Sequence, residues 1–268
     1  MRAASLQDMT HPTDHDVARF QRDGFLPGPR VLDADRLETV RRAVDAVAAE
    51  ESPGMSRVLA YRRRRDLAAS QVHVLGAWRA EQALADLVSD ATVVEWTRRL
   101  MRTRQVRLFR DQLFVKPAAS DGIVPWHQDY SDWVHTTPPA HVTCWIALDD
   151  ATIESGCLHY IPGSHMGTLL PKITAADDFR SAAMRLPAGM PAPVPVEVLA
   201  GHCVFHHCLT IHGSYENRTP GTRRALAVAY MHPETTSVVK RDVIPGSAIF
   251  DEGQRIEGPL FPLFGGAP

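Results

Sequence analysis

Apolar residues recur with the spacing of a helix along much of the first hundred positions. After Asp33, which can cap a helix, they fall on one face at Leu37, Val40, Val44 and Val47. Thr13 and Ser89 offer similar caps, and a further helical pattern covers 79–87. The pattern therefore predicts a helical N-terminal portion over residues 14–102.

After residue 105 the pattern changes to short apolar runs rich in β-branched and aromatic residues, separated by turn-forming residues. These runs predict strands at 106–115, 142–148, 158–161, 196–199, 203–207 and 224–231. No regular helical pattern lies between them, which favours an antiparallel sandwich or barrel over a parallel sheet. We predict a mainly β core over about 105–232 inside a single domain, 1–268.

One segment of this core, at about 170–195, lacks periodicity and is rich in proline and alanine. Long irregular segments inside compact domains are often binding loops or lids. We therefore expect a lid-like insert at this place.

Composition narrows the classes of function. The 268-residue chain is 44% hydrophobic and 22% charged, as expected for a soluble globular protein. Its net charge of -2 argues against a nucleic-acid partner, and no apolar run is long enough to suggest a membrane partner. The four cysteines form no C-x-x-C pair and no secretory signal is visible, so we expect a cytoplasmic protein with reduced thiols.

The chemistry-bearing pattern is a histidine and an aspartate two positions apart, His127 and Asp129. On an extended segment two such side chains point to the same face. A second pattern of this type, at 232–234, has no histidine after it, whereas the first is followed by His212 and, eleven residues later, by Arg223. Two imidazoles and one carboxylate suit non-haem Fe(II), and they leave positions open for a chelating co-substrate and O₂.

Arg223 stands at the start of an apolar strand next to the strand expected to carry His212. A guanidinium there could pair with the distal carboxylate of an iron chelator. The combination of H-x-D, a distant histidine and an arginine is far more specific than any one of its parts.

Other polar residues near these motifs have plainer interpretations. We interpret His206 and His207 as packing residues near the site, one of which could orient a ligand. We expect His141 to be a solvated or turn residue. Lys116 is expected to end a strand with its amine in solvent.

Several segments resemble the phytanoyl-CoA dioxygenase family. They are DQLFVKPA (111–118), WHQDYSDW (126–133), TCWIALDD (143–150), ESGCLHYIPGSH (154–165) and the stretch from FHHCLTIHGS to AVAYM (205–231). The entry segment DVARFQRDGFL (16–26) is similar as well. The resemblance implies a double-stranded β-helix, or jelly-roll, and oxidation coupled to decarboxylation of 2-oxoglutarate.

By this resemblance the iron ligands are His127, Asp129 and His212. The contacts to 2-oxoglutarate are implied to come from four further residues: Arg223, Ser214, Trp145 and Gln112. Many relatives carry a threonine where this chain has Leu158, which cannot hydrogen-bond. The resemblance therefore does not say which residue supplies that co-substrate contact here.

Candidates for the substrate pocket are aromatic and cationic residues that flank the motifs: Tyr130, Trp133, Phe114 and Arg110. An ordinary aromatic core explains the three rings about as well. Arg110 could meet an anionic group of the substrate if it faces into the barrel. We expect a small metabolite or biosynthetic intermediate as substrate, with O₂, and make no prediction of oligomeric state.

The carboxylate at Asp129 bears on the reaction. Halogenases of this kind carry a small residue at that position, so Asp129 favours hydroxylation of an unactivated C–H bond. Desaturation, epimerisation and cyclisation use the same triad and stay open. A non-oxidative jelly-roll isomerase or binding protein is the alternative of another class, although Arg223 speaks against it.

Overall fold

The computed structural model describes residues 11–64, 71–171, 186 and 189–266, so most of the predicted insert at 170–195 lies outside the described residues. The strands, in chain order, are β1 (Phe25–Arg30), β2 (Ala60–Arg64), β3 (Gln71–Leu75), β4 (Val106–Lys116), β5 (Val124–His127), β6 (Thr136–Thr137), β7 (Val142–Ala147), β8 (Leu158–Tyr160), β9 (Val194–Val196), β10 (His202–His207), β11 (His212–Ser214), β12 (Arg223–Met231), β13 (Thr236–Ser237), β14 (Arg241–Asp242), β15 (Ile249–Phe250) and β16 (Leu263–Phe264).

Two antiparallel sheets form the core. The larger has the order β1-β10-β7-β12-β4-β3-β2, with β16 also paired to β4, and the smaller has the order β5-β11-β8-β9. This is a jelly-roll architecture with helices added near the N-terminus, which confirms the predicted fold class. The candidate metal ligands lie on the smaller sheet, and their surroundings come from the inner face of the larger one.

The helices are α1 (Asp14–Asp23), α2 (Ala34–Ala48), α3 (Gln82–Val88) and α4 (Ala91–Leu100). Their apolar faces pack on the outer face of the larger sheet in one continuous hydrophobic cluster. Two details of the prediction were wrong. α3 begins at Gln82, after a short 3-10 turn, and the side chain of Asp90 rather than Ser89 caps α4. The predicted helical portion also contributes three strands to the larger sheet.

Strand β7 shows how the larger sheet separates its two faces. Cys144 and Ile146 pack in the cluster with the helices, whereas Trp145 and Ala147 pack in the cluster between the sheets. Successive side chains of a strand point to opposite faces, so a continuous apolar run can serve both layers. The inner face therefore carries side chains that can reach a site between the sheets.

His141 lies fully buried in an aromatic cluster, so its interpretation as a solvated or turn residue is wrong. Its ring is 4.9 Å from that of Phe109 and 5.2 Å from that of Trp133, centroid to centroid. Within the described residues neither ring nitrogen has a hydrogen-bond partner. Burial, assisted by the nearby positive charge of Arg110, lowers the pKa of His141 to about 3.

We expect the free energy of unfolding to fall less steeply with decreasing pH in the His141→Leu variant than in the wild type. Because the pKa of His141 is lower in the folded than in the unfolded chain, its contribution is present above about pH 6.5 and is lost as the pH falls towards 3. Between pH 7 and pH 5 the wild type should lose about 2 kcal/mol more than the variant. Urea denaturation at both pH values measures this, and equal losses would show that His141 is protonated in the fold.

The described residues, 11–64, 71–171, 186 and 189–266, include no helix that is both long and apolar enough to span a bilayer.

Candidate metal centre

Three predicted ligands come together at the end of β5 and the start of β11. His212 pairs directly with His127 across these antiparallel strands, and Asp129 is the second residue after the end of β5. One ligand atom from each of the three lies within 4.8 Å of the others. The Asp129 Oδ1 atom is 3.6 Å from His127 Nε2 and 3.8 Å from His212 Nε2.

Both imidazoles are fixed by hydrogen bonds to backbone carbonyls. His127 Nδ1 donates to the oxygen of Pro125 at 2.8 Å, and His212 Nδ1 donates to the oxygen of Thr210 at 2.9 Å. A carbonyl can only accept, so Nδ1 carries the proton and the Nε2 lone pair is left for a metal. Two Nε2 atoms and one carboxylate oxygen on one side fit the donor set that Fe(II) takes in such centres.

The second carboxylate oxygen of Asp129 is anchored from the larger sheet. Thr143 Oγ1 donates to Oδ2 at 3.0 Å, and His206 Nε2 donates to it at 3.1 Å. The hydroxyl of Tyr160 in turn donates to His206 Nδ1 at 3.0 Å. This chain of contacts turns Oδ1 towards the two metal-facing imidazoles.

Charge supports the metal-binding protonation states of Asp129 and His212. Burial raises the pKa of Asp129, but the adjacent imidazoles of His127 and His206 outweigh it and hold the pKa well below its usual range. Burial, with the neighbouring His127 and His206, holds the pKa of His212 well below its usual value. At neutral pH the carboxylate is therefore ionised and the His212 ring neutral, which are the forms that bind a metal.

We predict that His206→Phe weakens Fe(II) binding by roughly 10- to 100-fold, the cost usual for losing an outer contact to a ligand. The expected cause is a carboxylate of Asp129 that rotates once the contact to Oδ2 is gone. Anaerobic titration with Fe(II) measures the affinity. The matched variant His206→Gln can still donate an N–H and should retain more of it. Unchanged affinity in His206→Phe would mean that Asp129 needs no such anchor.

The triad lines a cavity of about 250 Å³ between the two sheets. Four side chains of β4 face into it, alternating along the strand: Arg110, Gln112, Phe114 and Lys116. Trp145, Leu158, Ser214 and Arg223 line it as well. Trp133 also lines the cavity, although it is only 2% exposed.

One end of the cavity is strongly cationic. Arg223 pairs across the sheet with Lys116, and both side chains are buried. Lys116 Nζ donates to Ser214 Oγ at 2.7 Å and to the carbonyl oxygen of Tyr215. The interpretation of Lys116 as a solvated strand-end lysine is therefore wrong, and it adds a cation to the predicted co-substrate contacts.

The guanidinium of Arg223 is only partly satisfied. One terminal nitrogen donates to the carbonyl oxygen of Gly156 at 3.1 Å, and Nε, which is buried, has no partner among the described residues. Burial lowers the pKa of Arg223 to about 10, which leaves it charged at neutral pH. Burial, followed by the charge of Arg223, lowers the pKa of Lys116 well below its usual value. An anion bound here would raise the pKa values of both Arg223 and Lys116 again.

Two predicted residues stand apart from this end. The amide nitrogen of Gln112 is 3.0 Å from His73 Nε2, further along β4 towards Arg110. Tyr130 does not line the cavity. Its hydroxyl donates to the carbonyl oxygen of Thr136 at 2.5 Å. The role of Lys116 could not be recognised in the sequence, since nothing local reveals the cross-strand pairing with Arg223.

Comparison with known sequences gives the family directly. Residues 20–225 match the family model described as phytanoyl-CoA dioxygenase (PhyH). The chain is 35% identical over 127 residues to phytanoyl-CoA dioxygenase 1 of Oryza sativa subsp. japonica, a match that covers 46% of this chain and 43% of the relative. It is 28% identical over 242 residues to the ectoine dioxygenase of Nocardia farcinica, which covers 83% of this chain and 78% of the relative.

The rice match thus spans less than half the length of that relative, whereas a solved structure matches over almost the whole chain. This is the crystal structure of the non-heme alpha ketoglutarate dependent carbocyclase SnoK from nogalamycin biosynthesis. It has a TM-score of 0.74 and 26% identity, and the match covers 94% of this chain and 96% of SnoK.

The resemblance inferred from the motifs is confirmed by the family match, which includes His127, Asp129 and His212. The ligand cluster and the buried Arg223 lie within the matched region. The chain belongs to the phytanoyl-CoA dioxygenase family.

Proposed function

We propose that this protein is an Fe(II)- and 2-oxoglutarate-dependent dioxygenase that oxidises a C–H bond of a small metabolite. Bound Fe(II) would couple the reaction of 2-oxoglutarate with O₂, which gives succinate and CO₂, to oxidation of the substrate. His127, Asp129 and His212 would hold the metal.

The observation that carries this proposal is the spacing of two groups on β11. His212 presents Nε2 to the metal position, and Ser214, two residues further, contacts Lys116 at the cationic end. Two residues of strand span about 7 Å. That is about the reach of a five-carbon dicarboxylate whose keto-acid end binds the metal and whose other carboxylate meets Arg223.

The cationic end suits a buried carboxylate. The free Nε of Arg223 and its terminal nitrogens can form a bidentate pair with it, and the hydroxyl of Ser214 can donate to the same group. Lys116 contributes a buried amine that no carboxylate among the described residues pairs with at ion-pair distance, and a bound co-substrate carboxylate would favour its protonated form. A plain metal-binding jelly-roll would gain nothing from two buried cations beside its metal, and their burial would cost stability.

Apolar walls keep water from this end. Leu158 lines the cavity opposite Ser214 on the neighbouring strand, and Trp145 lies under the guanidinium of Arg223 at 5.3 Å from its ring centroid. A dry, low-dielectric wall strengthens the ion pair to the co-substrate. Leu158 therefore contributes an apolar wall to the cavity. We assign to Lys116 the polar co-substrate contact that a threonine supplies in many relatives.

The expected outcome is hydroxylation, because Asp129 supplies the carboxylate ligand. The similarity to a carbocyclase at 26% identity keeps ring formation as the second candidate. The reaction partners are a small molecule and O₂. We also place the enzyme in a reducing compartment such as the cytoplasm, which suits its four free, buried cysteines.

Release of labelled CO₂ from 1-¹⁴C-2-oxoglutarate tests the proposal. Protein with Fe(II) and O₂ should release CO₂ even without substrate, at a slow uncoupled rate, and should form succinate in equal amount. Protein without Fe(II), or with Asp129→Ala, should release none above background. Equal release by wild type and Asp129→Ala would overturn the proposal.

A further inference from the structure

Strand β4 carries a second cation at the opposite end of the cavity from Lys116. Its inward side chains run in the order Lys116, Phe114, Gln112 and Arg110. Six residues of strand place Arg110 about 20 Å from Lys116 along the backbone. A single 2-oxoglutarate cannot contact both ends, so Arg110 does not belong to the co-substrate site.

The guanidinium of Arg110 has no anionic partner among the described residues. Within the part of the chain that the structure describes it makes no hydrogen bond or ion pair, and its buried Nε has no acceptor. It lies over the rings of Phe109 and Trp133, 4.8 and 5.2 Å from their centroids. Burial lowers its pKa to about 10, so it is still charged at neutral pH.

Arg110 is partly buried and its Nε is fully enclosed, and an unpaired charge in such a place is costly, so these groups are usually paired. Asp129 and Asp132 favour the charge from a distance, but neither forms an ion pair with Arg110. Asp129 also belongs to the metal-ligand cluster and accepts a hydrogen bond from His206. The free guanidinium is therefore best explained by a ligand.

Arg110 stands where two cavities meet. A second cavity of about 350 Å³ shares Arg110, Gln112, His73 and Asp132 with the first and opens towards residues 241–245. The register between β4 and β12 shifts beside Arg110, which marks a β-bulge or irregularity at this point. Bulges of this kind re-aim a side chain next to a site.

We propose that Arg110 binds a carboxylate of the substrate, so that the substrate class is small carboxylic acids with an apolar body. This rests on the proposed function. A single planar guanidinium matches one carboxylate through two parallel hydrogen bonds, whereas a phosphate dianion would need further cations or donors. The aromatic and aliphatic walls formed by Phe114, Ile123 and Trp133 suit the apolar body.

Binding of matched acids and amides tests this inference. Protein with Fe(II) and saturating 2-oxoglutarate is titrated anaerobically, by calorimetry, with three pairs: benzoate and benzamide, 3-phenylpropionate and its amide, and L-proline and L-prolinamide. Each amide keeps the shape of its acid but lacks the carboxylate charge. The variants are Arg110→Met, Arg110→Lys and, as the matched control, Arg224→Met, whose guanidinium points outward to Asp149 and Asp45.

At least one acid should bind the wild type and Arg224→Met, on the order of 100-fold tighter than its amide. Arg110→Met should lose that preference, and Arg110→Lys should keep part of it because the charge stays without the planar fork. Equal binding of acid and amide, an acid preference that survives in Arg110→Met, or no binding by any acid would overturn the inference.

The same titration without metal or 2-oxoglutarate separates the two proposals. If the preference for an acid is lost in Arg110→Met but not in Arg223→Met, the Arg110 end binds it even should the protein prove unable to use 2-oxoglutarate. If the preference is lost only in Arg223→Met, the acid occupies the co-substrate end and the inference about Arg110 fails.

Discussion

Replacing His212 with alanine is expected to abolish Fe(II) binding and all turnover of 2-oxoglutarate. His212 supplies one of only two imidazoles in the described cluster, and its Nε2 is held towards Asp129 by the bond from Nδ1 to Thr210. Loss of a direct ligand should cost more than the roughly 10- to 100-fold typical of an outer contact. Fe(II) titration and release of labelled CO₂ measure the two losses.

The control is His207→Ala, five residues earlier in the chain. His207 Nδ1 accepts the backbone N–H of Leu209 at 3.2 Å, and the ring is not part of the ligand cluster. This variant should keep Fe(II) binding and CO₂ release. If His207→Ala lost both while His212→Ala kept them, the distal ligand would be assigned to the wrong histidine.

Replacing Arg223 with methionine is expected to raise the KM for 2-oxoglutarate by at least about 30-fold. Removing one partner of a buried charge pair costs about 2–5 kcal/mol, and among the described residues the methionine leaves Lys116 alone at this end of the cavity. Metal affinity should change little, since Arg223 contacts none of the three ligands. Initial rates of CO₂ release against co-substrate concentration measure the KM.

Arg224→Met is the matched variant for this experiment. Arg224 is the next residue on β12 but points to the outer face, where it pairs with Asp149 at 2.9 Å and Asp45 at 2.7 Å. Its loss should leave the KM for 2-oxoglutarate unchanged. A similar rise in both variants would mean that the effect comes from the strand and not from a carboxylate contact.

Part of this fold follows from local pattern. The long strands β4, β7, β10 and β12 and the short β8 were predictable because an apolar run between turn residues is a local signal. The shorter β5, β6 and β11 were not among the strands predicted from such runs, and β9 lies at Val194–Val196 rather than at 196–199. Strand β1 was not predictable, since its sequence FLPGPR contains two prolines and a glycine that indicate a turn. It is nevertheless an edge strand of the larger sheet, where missing backbone donors are tolerated.

The candidate site, like the fold, was only partly predictable from local sequence. His127, Asp129 and His212 could be proposed from spacing, because two of them sit two residues apart at a strand end. Lys116 and His206 could not be assigned, since their roles arise from contacts with residues 98 and 77 positions away, respectively. Cross-strand register is a property of the whole sheet, and one strand alone does not specify it.

The central claim is that one cavity holds both Fe(II) on the triad and 2-oxoglutarate on Arg223. Its most direct test is anaerobic addition of 2-oxoglutarate to the Fe(II)-loaded protein, followed by visible absorption. Chelation of Fe(II) by the keto acid should give a weak charge-transfer band in the wild type and in His207→Ala, and no band in His212→Ala. A folded, Fe(II)-loaded wild type that shows no band at saturating 2-oxoglutarate would contradict the account.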